Sequence, residues 1–327
     1  MITFKLQTPE ATLKITTIRS GETKLGQVVR HSATIAQLEQ SEARFVLFGI
    51  AEDIGVQANY GQAGTAQAWT AFLKAIVNVQ DTTFTQSNQI LLLGAFEVDA
   101  LPPQTTPENM GSYVEQIDTE VSQLVQRIVA CDKIPIGIGG GHNNAYGHIK
   151  GTSQALGSPI NVLNIDAHTD LRTTDYRHSG NGFSYALKEE LLNIYAIFGL
   201  HQNYTPQYIL DDIAAQASKI SAYFLENMPE YADQLTAFKQ ALRTVHGQAF
   251  GMELDCDAIA HFPASAQSPV GFELHTIRQL LIQAAAAQCA YLHICEAAPA
   301  NDPKNQVGKA LSYLITDFIR HYGNSRV

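Results

Sequence analysis

Cysteine, charge and long apolar runs are all scarce in this chain. Its 327 residues include four cysteines, Cys131, Cys256, Cys289 and Cys295. None forms a Cys-x-x-Cys pair, so they read as reduced, mostly buried thiols of a cytoplasmic protein. Lys and Arg total 21 against 31 Asp and Glu, for a formal net charge of −10. With no basic stripe to neutralise phosphates, nucleic acid is not expected as a partner. No apolar run approaches membrane-spanning length, and the first residues, Met-Ile-Thr-Phe-Lys-Leu-Gln, lack a signal-peptide core. No membrane partner is expected either. Only 16% of residues are charged and 45% are hydrophobic, which excludes disorder and allows a sizeable core. There is no internal repeat or low-complexity stretch. The single tryptophan, Trp69, reads as a core residue.

What the chain does have is eight short apolar runs at fairly regular spacing. They are 44–48, 90–93, 134–138, 160–165, 194–198, 220–224, 249–252 and 290–294. Most are continuously apolar rather than alternating, as strands buried on both faces of a parallel sheet would be. Helix-periodic segments such as 112–129 and 273–288 lie between them, which predicts an α/β fold with right-handed crossovers. The Pro-rich stretch 101–107 reads as a surface loop. We expect a single domain over 1–327, with residues 1–40 as an N-terminal extension.

Three polar clusters each follow an apolar run: Gly139-Gly140-Gly141-His142, Asp166-Ala167-His168-Thr169-Asp170 and Asp255-Cys256-Asp257. In an open parallel sheet, ligands bind beyond the carboxyl ends of the strands, so these clusters could converge. They offer two imidazoles and four carboxylates, enough to hold two divalent ions. Two such ions can share one hydroxide, a strong nucleophile at neutral pH. The mix of carboxylate and imidazole suits manganese, zinc or iron better than magnesium or calcium. In an extended strand end, the alternating spacing of Asp166, His168 and Asp170 would put all three on one face. Without metal, so many clustered acids would push at least one pKa up. The glycine run could instead cradle a phosphate, but it lacks the Gly-x-Gly-x-x-Gly spacing. The acids could be solvated strand-end residues, a reading that the ordered recurrence of all three clusters disfavours.

In order and content, with the Asp-Ala-His-Thr-Asp string foremost, the clusters resemble the signature motifs of the arginase superfamily, the ureohydrolases. The resemblance covers roughly residues 44–315. It implies a three-layer α/β/α sandwich with a mainly parallel eight-stranded sheet, and hydrolysis of guanidino or formimino carbon–nitrogen bonds with two manganese ions. It further implies that His142, Asp166, Asp170 and Asp255 hold one ion and Asp166, His168, Asp255 and Asp257 the other. Asp166 and Asp255 would bridge, and Asp170 would also contact the shared hydroxide. Glu296, in Ile294-Cys295-Glu296-Ala297-Ala298-Pro299, falls where the family orients the planar cationic group of the substrate, a task suited to a carboxylate. Glu253-Leu254-Asp255 is an alternative ligand pair. Asp255 and Asp257 are preferred because Ala258-Ile259 and Pro263 then fall in register, which leaves Glu253 in place of a small polar residue.

Within the family, Arg172 and the third glycine Gly141 resemble formimidoylglutamases more than arginases, and Phe183 resembles formimidoylglutamases and agmatinases, where arginases carry a His. Arg172 could pair with a substrate carboxylate, with Ser179 and Asn181 in the same substrate loop. Asn143-Asn144 after the ligand His, and the lack of an Arg in 59–64, mark a divergent branch. His148, His178 and His201 are candidate general acids for the leaving amine, and His178 is favoured because it enters the substrate loop. The favoured substrate is N-formimino-L-glutamate, giving glutamate and formamide in histidine breakdown. Agmatine, guanidino acids and arginine are alternatives. So are a non-catalytic metal-binding member and a deacetylase-like hydrolase, although the chain has no His-His pair for the latter. A homo-oligomer is implied by the resemblance.

Overall fold

The computed structural model describes residues 2–324. All eight apolar runs form strands, and a ninth strand precedes them. The strands are β1 (Ile2–Leu6), β2 (Phe45–Ala51), β3 (Ile90–Val98), β4 (Ile134–Ile138), β5 (Ile160–Ile165), β6 (Leu192–Leu200), β7 (Ile220–Phe224), β8 (Phe250–Asp255) and β9 (Tyr291–Cys295). They build one sheet in the order β1-β3-β2-β4-β9-β8-β5-β6-β7. All neighbours are parallel except β1, which runs antiparallel along β3. The expected eight-stranded sheet therefore gains an edge strand. Ile2–Leu6 alternates between half-buried and exposed residues, because an edge strand is covered on one face only.

The other strands are covered on both faces, which explains their continuous apolarity. In β2, Phe45 and Leu47 pack with Phe72, Leu311 and Phe318 on one side, while Val46, Phe48 and Ile50 pack with Val114, Ile117 and Val121 on the other. The first side is layered by helices Ala68–Ile76, Tyr231–Val245, Leu274–Ala286 and Val307–His321, the second by Pro107–Ala130, Asn144–Leu156 and Gly182–Lys188. Each fully buried Phe or Leu contributes about 1.5–3 kcal/mol. Local signals set the helix limits. Thr106 caps the Asn109 N–H, with Pro107 in the first turn. Gly157, at φ 67°, ends Asn144–Leu156 in the left-handed conformation. Trp69 is buried and packs on Phe72 with ring centroids 5.7 Å apart, a core residue as expected. No helix among the described residues is long and apolar enough to cross a membrane.

The last two strands in the chain, β8 and β9, slot between β4 and β5. This places β4, β9, β8 and β5 side by side, and their carboxyl ends carry the polar clusters.

Candidate metal centre

The glycine run turns the chain sharply off β4. Gly139 and Gly140 have φ of 91° and 73°, a region open to glycine. A Cβ on Gly140 would lie 2.5 Å from Asn144 Nδ2 and 2.9 Å from Glu52 Oε1. The Gly139 N–H donates to Ile294 O (2.8 Å), and the Glu296 N–H donates to Gly140 O (3.0 Å). The His142 N–H then donates to Glu296 Oε1 at 2.7 Å. Behind the turn, the buried Glu52 carboxylate accepts from the N–H groups of Ile54, Gly55 and Gly141 and from the amides of Asn143 and Asn144. Asn143-Asn144, atypical in sequence, is thus matched to an internal carboxylate that sequence reading did not single out.

The second cluster is not extended. Asp166 follows the end of β5, its Oδ1 accepts the His168 N–H at 2.7 Å, and Asp170 takes the left-handed φ of 51°. The expected one-faced strand end gives way to a tight turn, because the carboxylate itself captures the backbone N–H two residues on. Asp255 does the same at the end of β8, accepting from the Asp257 N–H at 2.7 Å.

These turns gather the side chains. His142 Nδ1 lies 3.2 Å from Asp166 Oδ2, 2.8 Å from Asp170 Oδ2 and 3.2 Å from Asp255 Oδ2. Donor atoms of these four residues all lie within 4.8 Å of one another. His168 Nδ1 is 3.6 Å from Asp166 Oδ1. Asp257 accepts from the Ala266 N–H (2.9 Å) and the Ser265 hydroxyl (3.3 Å). Neither nitrogen of the buried His142 has a hydrogen-bond partner, nor does Glu296 Oε2. Buried polar atoms seldom stay unpaired, and these face a cluster of carboxylates. The donor set fits divalent cations that accept both nitrogen and oxygen.

The electrostatics agree. Burial drives Asp255 well above the usual carboxylate range, with repulsion from Asp257 and Asp166 adding to it. Burial raises Asp257 to about 6, and burial together with Asp257 raises Glu296 to about 8. Burial alone would also raise Asp166, but its hydrogen bonds to His142 and His168 hold it low. For His168 the loss of solvation is outweighed by Asp166 and its acidic neighbours, and its pKa rises to about 10. Buried acids crowded in this way call for compensating positive charge.

A cavity of about 420 Å³ opens above the cluster. His168, Asp170, Asp257 and Glu296 form its floor side, with Arg172 and Ser179 on its wall. Tyr204 stacks between His168 and His201 at its edge, with centroids 5.5 and 5.3 Å away. Arg172 is exposed and makes no ion pair among the described residues. Ser179 Oγ accepts from the Asn59 amide at 3.1 Å. Four residues predicted to act on the substrate do not line the cavity. His178 is buried, with Nδ1 accepting the Gly180 N–H at 3.1 Å, and burial lowers its pKa to about 4. Asn181 is wholly buried, its oxygen accepting from Arg177 (2.6 Å) and its amide donating to the Thr173 and Tyr176 carbonyls. His148 lies behind the site with no exposure, and burial lowers its pKa to about 3. His201 is buried beneath Tyr204.

Arg177 was not legible as a site residue. Its guanidinium is buried between Tyr146 and Tyr185, pairs with Asp118 at 2.7 and 3.1 Å, and donates to Asn143 O at 3.1 Å. It ties the 171–181 loop to the start of the helix after His142.

A parallel sheet with acids and imidazoles converging at adjacent strand ends defines a metal-dependent α/β enzyme scaffold. The chain belongs to the arginase family, whose model matches residues 43–320. It is 29% identical over 288 residues to a formimidoylglutamase of Geobacillus sp. (strain WCH70), covering 82% of this chain and 81% of that one. Among solved structures, it resembles the formimidoylglutamase of Bacillus subtilis with TM-score 0.79 at 17% identity, over 95% of each chain. It also resembles a Trypanosoma cruzi formiminoglutamase with Mn2+2, with TM-score 0.75 at 17% identity, over 93% of this chain and 99% of that one. At those identities the structural likenesses bear on the fold alone.

Proposed function

We propose that this protein is a binuclear manganese hydrolase that converts N-formimino-L-glutamate to glutamate and formamide. The observation that carries the reading is the convergence of His142, Asp166, Asp170 and Asp255 within 4.8 Å, beneath a cavity bordered by a carboxylate, Glu296, and a cation, Arg172. His142, Asp166, Asp170 and Asp255 would hold one ion, and Asp166, His168, Asp255 and Asp257 the other. When bound, such a pair supplies Lewis acidity and an activated water.

The chain's own residues do the rest. The formimino group is a planar cation at neutral pH. Glu296 Oε2, buried and unpartnered, would accept its N–H groups, and the incoming charge would favour the ionised carboxylate. Arg172 would bind the carboxylates at the other end of the substrate, with Ser179 beside it. Asp170 borders both the cluster and the cavity, so its carboxylate can hold the proton of the attacking water. His178 stays off the proton path in this reading and holds the loop turn instead.

The relatives named formimidoylglutamase support the substrate, as does Arg172: agmatine has no carboxylate for it to bind. The test is a panel of N-formimino-L-glutamate, agmatine, guanidino acids and arginine with manganese, assayed for formamide and urea. Formamide from the first alone is expected, and no turnover of any of them would overturn the reading. The same reading carries a single-domain cytoplasmic protein, acting on a small molecule as a homo-oligomer. Residues 2–6 joining the common sheet support the single domain, and sedimentation would measure the assembly.

A further inference from the structure

Behind the metal cluster, on the side away from the cavity, lies a second buried polar array that the reaction above does not use. Glu253 projects from β8 two residues before Asp255 and has no solvent exposure. Its Oε1 accepts the Tyr291 hydroxyl proton at 2.8 Å, and its Oε2 lies 2.7 Å from His293 Nδ1. Glu253 and His293 are cross-strand neighbours in β8 and β9, and Gly137 of β4 is the next residue across from His293. His148 stacks on His293 with centroids 4.3 Å apart and has its Nδ1 2.9 Å from Asn144 O.

Two strand glycines make room for the array. A Cβ on Gly137 would lie 2.2 Å from His148 Nε2, and one on Gly251 would lie 2.1 Å from the Tyr291 ring. Glycine inside a strand weakens it, and a wholly buried carboxylate is costly even when paired. Both features at one spot indicate a position held for something other than stability.

The array points at His142. Its Nδ1 faces the three aspartates, while Nε2 faces Glu253 Oε2 at 3.6 Å. That distance is longer than a hydrogen bond, and Nε2 has no other partner. The Cys295 thiol also lies near His142, but it donates to the Leu254 carbonyl at 3.6 Å, and a thiol is a weak acceptor. An imidazole that binds a cation through one nitrogen carries its proton on the other, and a carboxylate behind it fixes both tautomer and ring orientation.

We propose that Glu253, clamped by Tyr291 and His293, is the positioning residue whose buried charge favours the His142 proton on Nε2 and so presents Nδ1 to the metal. The support is built from side chains of two neighbouring strands. The inference rests on the metal-site reading above. It concerns one ion of the two, since His142 would serve only one.

The test is metal binding rather than turnover. Purified apo-protein is titrated with Mn2+, and the free ion is followed by its EPR signal. The wild type should show two binding steps. Glu253→Gln keeps the volume and removes the acceptor charge. It should weaken one step by about 10–100-fold and leave the other at the wild-type value. Tyr291→Phe, which only loosens the clamp, should weaken the same step by less. Two unchanged steps in E253Q overturn the inference, and so does an equal loss at both steps, which a general structural role would produce. Should E253Q not fold, Y291F decides: a weakened single step supports the inference, and a wild-type isotherm overturns it. A wild type that binds no divalent ion overturns the metal reading itself, and this inference with it.

Discussion

The floor and the wall of the cavity are built by different means. The floor residues sit at strand ends or within five residues of one, and the backbone locks them: Asp166 and Asp255 each cap an N–H two residues on, and Glu296 accepts from His142 N. The wall, residues 171–181 and 201–206, consists of loop and short turns placed by long-range contacts such as Arg177 with Asp118. A floor made of strand ends fixes reaction chemistry, while a wall made of loops fixes which molecule reaches it.

Breaking the floor should have the largest effect. Asp166→Ala or Asp255→Ala removes a carboxylate expected to bridge both ions. Loss of both ions by elemental analysis, and a fall in kcat/KM of about 10⁴-fold or more, is expected, equivalent to ~5 kcal/mol. Two tightly retained ions in either variant would contradict the bridging role.

The wall should fail through its anchor. Arg177→Met leaves the Asp118 carboxylate buried without its partner and should cost about 3–5 kcal/mol in urea unfolding. A loss below 1 kcal/mol would show that the loop does not depend on this pair.

Arg172→Ala sharpens the contrast, since it touches the wall alone. KM for a carboxylate-bearing substrate should rise by about 10–100-fold, ~1.4–3 kcal/mol, with kcat changed far less. Equal loss of kcat would place Arg172 among the residues acting in the transition state.

The smallest effect belongs to His178. Burial lowers its pKa from the usual 6.5 to about 4, so the unfolded chain takes up the proton first. Its contribution is complete above pH 6.5 and is lost as pH falls from 6.5 through 4. The total is about 1–2 kcal/mol after allowance for solvent screening. His178→Asn should flatten stability across that window, and an unchanged slope in urea melts would assign the loss to other groups.

The ligands were readable because each cluster is short and follows an apolar run, so strand end and donor travel together in sequence. Gly139–His142, Asp166–Asp170 and Asp255–Asp257 needed no knowledge of strand order to be noticed. β1 escaped because a half-exposed edge strand has no continuous apolar signature. His178 and Asn181 looked like substrate groups because they lie in a polar loop near the motifs. Both turn inward, Asn181 onto Arg177 and His178 onto the Gly180 N–H, and Arg177 is itself fixed by Asp118, fifty-nine residues away. Glu253 did leave a signal, an acid inside the apolar stretch Met252-Glu253-Leu254, but its partners Tyr291 and His293 sit on a strand that follows by some forty residues.

The sequence by itself determined the donors, their grouping and the alternation of strand and helix, because these depend on residues within a few positions of one another. Tertiary structure alone decided that β8 and β9 enter between β4 and β5, bringing His142, Glu296, Asp255 and Asp166 to adjacent strand ends. It also decided that the acids turn back on their own backbone rather than running extended, and that Glu253 stands behind His142. Those outcomes depend on packing between segments distant in sequence, where no local pattern records which faces meet.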